Sequence, residues 1–125
     1  MLTGKYVPGG ELPEGSRATD DKGGANMIKR FMNDEVLNRV QQLKPVAQEL
    51  DLSLAQLAVA WVLQNQNVAS AIIGASRPEQ VYENAKAAGV SLPEEAMSRI
   101  DEAIGQVVER DPAKTQDSSP KSREV

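Results

Sequence analysis

The chain has no cysteine and no histidine among its 125 residues. The first absence rules out a disulfide framework, a thiolate nucleophile and a thiolate zinc site, and is neutral about redox compartment. The second rules out Ser-His-Asp catalysis, imidazole metal sites and proton transfer by a histidine near neutral pH. Any catalytic group must be a carboxylate, tyrosine, lysine, serine or threonine, and the spacing of these assembles no evident acid–base pair. Basic residues are the minority, 14 against 18 acidic ones for a net charge of −4, and they form no dense run and are not interleaved with aromatics. Nucleic acid is therefore not an expected partner. No apolar run approaches the roughly 18 residues needed to span a bilayer, and the N-terminus lacks the charged-then-apolar profile of a secretory signal. The expectation is a soluble, cytoplasmic chain without membrane contact, of one domain at most.

What the chain does have is a sharp break at Gly74. Val68 to Ile73 is short and largely apolar, the pattern of a buried strand, and Pro78 can open a helix because its missing N–H would have been an orphan anyway. Gly74 permits close backbone approach, while free N–H groups and the positive end of the helix dipole face outward beside Ser76 and Arg77. That is the layout of an anion seat. The same layout also serves as a plain corner, with Ser76 and Glu79 as a capping box and Arg77 as a solvated side chain.

Elsewhere the period is helical. Val7 to Asn26 reads as a loop rich in glycine, a lid, a binding loop or a disordered segment. Helical spacing returns from Met27, with Asn33 or Asp34 as a cap and an apolar stripe through Val36, Leu37, Val40, Leu43, Val46, Ala47 and Leu50. Pro45 should kink or divide that helix. Ser53 and Gln56 form a capping box before Leu54, Leu57, Ala58, Trp61 and Val62, where Trp61 reads as core rather than as a stacking platform. The helix after the seat should close with Gly89 at C′, and a last one should open near Pro93 and pack through Ala96, Ile100, Ala103 and Ile104. Glu94 and Glu95 suit the start of that helix electrostatically, which accounts for them better than a paired-carboxylate site does. After Val108 almost nothing is apolar, and residues 111–125 read as a disordered tail.

A lone buried strand among helices needs neighbours on both edges to satisfy its backbone. Either another chain supplies them or the sequence is a fragment of something larger. Leu2-Thr3-Gly4-Lys5-Tyr6, Ser16-Arg17-Ala18, the helix Leu54 to Leu63, and Ile72 to Ser76 continuing through Gln80 to Glu83-Asn84 resemble, in order, the C-terminal part of an aldo-keto reductase. Within that superfamily the likeness is to the branch of bacterial reductases and potassium-channel β subunits.

The resemblance implies an α/β fold, the last part of a (β/α)₈ barrel that binds NADPH and reduces carbonyls to alcohols; a complete barrel needs at least about 200 residues. Residues 1–110 would be that part: a cofactor-side loop over 1–32, helices over 33–65, strand and phosphate-seat helix over 66–89, and a terminal helix over 93–108. It further implies that Gly74, Ser76, Gln80, Glu83 and Asn84 hold the adenosine phosphate end of NADP(H), with Arg77 at the 2′-phosphate and Glu83 and Asn84 at the adenine. Lys5, Tyr6 and Arg17 would lie near the pyrophosphate on the closing loop. The family's catalytic residues belong to earlier strands and none is placed here, so the isolated chain is expected to be inactive. A small carbonyl would be the parent protein's substrate, with a homo-oligomer as one possible assembly. The alternative class is a noncatalytic NADP(H)-binding or redox-sensing interaction module, or an inactive truncated product.

Overall fold

The computed structural model describes residues 1–29 and 31–115. Among the described residues, a 3-10 turn at Arg17–Thr19 precedes seven helices: α1 Gly24–Lys29, α2 Asp34–Gln41, α3 Lys44–Glu49, α4 Leu54–Leu63, α5 Pro78–Ala85, α6 Glu94–Ile104 and α7 Pro112–Thr115. Among the described residues there is no β-strand. The α/β class with a buried strand over 68–73 is therefore corrected to an all-α one. An apolar run becomes a buried strand only where a second extended segment can take up its N–H and C=O groups. Among the described residues none pairs with this one, and the run crosses the surface as irregular chain with Ile72 99% exposed and Ile73 41% exposed.

The helical boundaries follow local chemistry. Asp20 accepts from the N–H of Lys22 and of Gly24 at 3.0 Å each, so α1 starts earlier than the apolar period at Met27 suggests and the expected loop is shorter. Asn33 is the N-cap of α2 and accepts from Val36 N at 2.9 Å. Pro45 sits in the first turn of α3, so the long apolar stripe is divided rather than kinked. The chain then turns through 91° into α4. Asp51 takes a φ of 54° in that turn, a left-handed conformation that aspartate tolerates better than most residues. The Ser53–Gln56 capping box is complete at the start of α4.

The core lies between the α2–α3 junction, α4 and α6. Leu43, Val46, Ala47, Leu57, Ala60, Ala87, Leu92, Ala96, Ile100, Ala103 and Ile104 form it, with Trp61 half-buried against it. Gln64 closes the far end: its Nε2 donates to Ala60 O at 3.0 Å and Val90 O at 3.1 Å, and its Oε1 accepts from Leu92 N at 3.2 Å. Regular helix stops at Ala85, and tighter bonds from Ala87 N to Asn84 O and from Ala88 N to Ala85 O carry the turn on to Gly89, at φ 78°. Gly89 thus ends the turn beyond α5 rather than capping the helix directly. The tail expected over 111–125 begins with α7, and its residues 116–125 lie outside the described residues. No single helix among the described residues is long and apolar enough to cross a membrane.

Candidate functional site

The predicted residues fall into two groups. Gly74, Ser76, Arg77, Gln80, Glu83 and Asn84 lie on α5 and the turn that leads into it. Pro78 opens α5 and Arg77 is its N-cap, extended at φ −143° and ψ 146° without a side-chain cap bond. Ser76 does not cap the helix as a Ser-x-x-Glu box would. Its N–H and its Oγ instead both donate to Gln80 Oε1, at 2.8 and 3.2 Å. Two donors of different origin thus converge on one oxygen, as they do on an oxygen of a bound anion. Around them Ala75, Ser76, Arg77, Pro78, Val81 and Tyr82 line an open depression of about 460 Å³. Gly74 stands at its approach: its φ is not left-handed, and a Cβ placed on it would meet nothing within 4 Å. No turn geometry requires glycine there, and the space it leaves is open.

Further along α5, Glu83 is fixed from two sides. Gln56 Nε2, from α4, donates to the Glu83 carbonyl oxygen at 3.0 Å and to its Oε2 at 3.1 Å. Lys86 Nζ donates to Oε1 at 2.5 Å. Gln56 is only 6% exposed, and its own Oε1 accepts from Ser53 N at 2.8 Å. A carboxylate has about four acceptor positions, so these bonds leave room for a further donor on each oxygen. Asn84 is half-buried beside it.

The second group is Lys5, Tyr6 and Arg17. Tyr6 is 3% exposed, its hydroxyl accepts from Ala18 N at 3.3 Å, and Lys5 Nζ lies 5.2 Å from its ring centroid. The tyrosine therefore pins the 3-10 turn that carries Arg17 against the segment that carries Lys5. Gln41 Nε2 holds the same segment, donating to Gly4 O at 3.2 Å and Tyr6 O at 3.1 Å. Burial, and then the charges of Lys5 and Arg17, push the Met1 amine below its ordinary value. The two cations therefore act on one region.

The first turn of α4 is common to both groups. Gly4, at φ 70°, packs so close to it that a Cβ would lie 2.5 Å from Leu54 Cδ2, while Gln56 two residues on reaches Glu83. Sequence reasoning placed Gln56 only in a capping box. The missed signal is that the box uses its Oε1 and leaves a buried amide Nε2 that must find an acceptor elsewhere.

With this geometry in view, residues 1–105 match the model of the aldo/keto reductase family. The chain belongs to that family. It is 47% identical over 90 residues to a probable voltage-gated potassium channel subunit beta of Arabidopsis thaliana, covering 72% of this chain and 27% of that protein. A protein of the same description from Oryza sativa subsp. japonica is 42% identical over 106 residues, 83% of this chain and 32% of its own length. The L-glyceraldehyde 3-phosphate reductase of Escherichia coli O157:H7 is 34% identical over 106 residues, 83% of this chain and 30% of that enzyme. The likeness thus falls on the branch that the residue motifs indicate. The chain spans about a third or less of the length of these curated relatives.

Proposed function

We propose that this chain supplies the adenosine-phosphate end of an NADPH site in an oxidoreductase that reduces aldehydes or ketones to alcohols. The observation that carries this reading is the convergence of Ser76 N and Oγ on one acceptor at the start of α5, with the exposed Arg77 next to it. An oxygen of the 2′-phosphate takes the place of Gln80 Oε1, and the guanidinium of Arg77, whose planar fork suits phosphate oxygens, reads the same group. Gly74 leaves the approach clear, Glu83 and Asn84 meet the adenine edge, and Lys5 and Arg17 on the Tyr6-pinned loop face the pyrophosphate. When bound, the nicotinamide supplies hydride to the carbonyl carbon. This chain's residues bind and orient the other end of the molecule; the proton donor belongs to the rest of the protein.

Titration of the chain with NADPH and NADH, followed by fluorescence or calorimetry, tests the reading. NADPH is expected to bind more tightly, and Arg77→Ala to lower that preference about tenfold by removing a charge-assisted contact. Equal affinities for the two nucleotides, or an unchanged preference in Arg77→Ala, would sink it.

A second reading has its own support. The two plant relatives are described as potassium channel β subunits, which favours a noncatalytic NADP(H)-binding module. NADPH binding with no carbonyl reduction by a protein containing this chain distinguishes the two.

A further inference from the structure

The Glu83 side chain, in the proposed adenosine site, is tied to another helix. The tie is Gln56, buried at the start of α4, with three of its four hydrogen-bonding directions in use: Oε1 takes Ser53 N, and Nε2 is shared between the Glu83 carbonyl and carboxylate. Lys86 is an exposed partner on a flexible stem and sets the orientation of the carboxylate weakly. A buried amide with two acceptors on one residue sets it strongly.

We propose that Gln56 is a positioning residue for adenine recognition: it touches no ligand itself and holds the Glu83 carboxylate in the orientation that accepts from the nucleobase. The proposal rests on reading Gly74 to Asn84 as the adenosine end of a nucleotide site. Gln56 has two separable duties. Its oxygen serves the capping box, a task glutamate performs equally well, and its nitrogen serves Glu83, a task glutamate cannot perform.

Gln56→Glu therefore keeps the helix start and sets a carboxylate against Glu83. In the double variant Gln56→Glu/Glu83→Gln the side-chain bond is reversed: the amide at position 83 donates to the carboxylate at position 56 and keeps a carbonyl oxygen for the ligand, while the main-chain carbonyl of residue 83 loses its donor. The experiment is titration of wild type, Gln56→Glu and the double variant with NADPH and NADH. The expected result is that Gln56→Glu weakens both nucleotides by the same factor, about tenfold. The NADPH-to-NADH preference set at Ser76 and Arg77 stays constant, and the double variant recovers part of both affinities relative to Gln56→Glu. Three outcomes overturn the role given to Gln56 while leaving the nucleotide site standing. The single variant binds as wild type does, or its preference collapses along with its affinity, which marks a general loss of α5 packing, or the double variant fails to recover. If the wild-type chain binds neither nucleotide, the adenosine-site reading fails and the role of Gln56 fails with it.

Discussion

Two regions of this chain, the helices α4 and α6 on one side and the segment 68–82 on the other, place their apolar residues in opposite ways. In α4 and α6 the side chains of Leu57, Ala60, Ile100 and Ile104 are at most 2% exposed, whereas in 68–82 Ile72 is fully exposed and Val81 and Tyr82 are exposed on α5. The helices satisfy their own backbone and need only a surface to lie on; the segment before Gly74 needs hydrogen-bonding neighbours as well. Burial of an apolar run is thus decided first by where its peptide groups go, and only then by hydrophobicity.

The sharpest way to break this comparison is a pair of truncations. Leu57→Ala removes a side chain that is 1% exposed and should cost about 2–5 kcal/mol by denaturant unfolding. Ile72→Ser should change stability by less than about 0.5 kcal/mol and should reduce self-association in sedimentation, because it removes an exposed apolar group. A destabilisation by Ile72→Ser comparable to that of Leu57→Ala would show that the segment is buried in the folded protein.

Gln64→Ala comes next. It frees the Leu92 N–H and the Val90 carbonyl, for an expected cost of about 1–3 kcal/mol, read as a lowered midpoint at unchanged denaturant slope. Ser53→Ala removes the acceptor of Gln56 N and should cost about 1 kcal/mol. The smallest effect belongs to the exposed pair of Glu49 and Arg99, which hydrogen-bond across α3 and α6. The Arg99 bond holds the Glu49 carboxyl below the ordinary carboxylate range. A depressed folded-state value means that the pair contributes above the unfolded value of Glu49 and loses that contribution as pH falls through the folded one. Arg99→Ala should flatten the acid limb of the stability curve slightly, and added salt should erase the difference from wild type.

How much of this was legible in the sequence divides along the same line. Asn33, Pro45, Ser53 and the Ala96–Ile104 spacing act within a turn or two of themselves, and their signals give helix starts and faces that the structure shows. Val68 to Ile73 carries a signal for burial, but its backbone partners are a matter of long-range topology that no local pattern contains. The site shows the same split. The Ser76–Arg77–Pro78 order announces a helix start with donors, yet Gln80 reaching back to Ser76 and Gln56 reaching across to Glu83 depend on side-chain directions. Of the nine candidate residues, Tyr6 shows this best: the family resemblance implies a place for it on the closing loop near the pyrophosphate, and in the structure its ring is a buried pin.

The bond from Gln80 to Ser76 has a consequence for what can settle at the start of α5. The donors of Ser76 are already engaged by an amide oxygen, so arrival there is an exchange of acceptors and not the filling of a vacancy. A neutral oxygen replaces like with like and gains little. An oxygen bearing charge would form the stronger bonds, as displacement of the resident requires. The chain thus carries its own reference ligand, and anything that binds is measured against it.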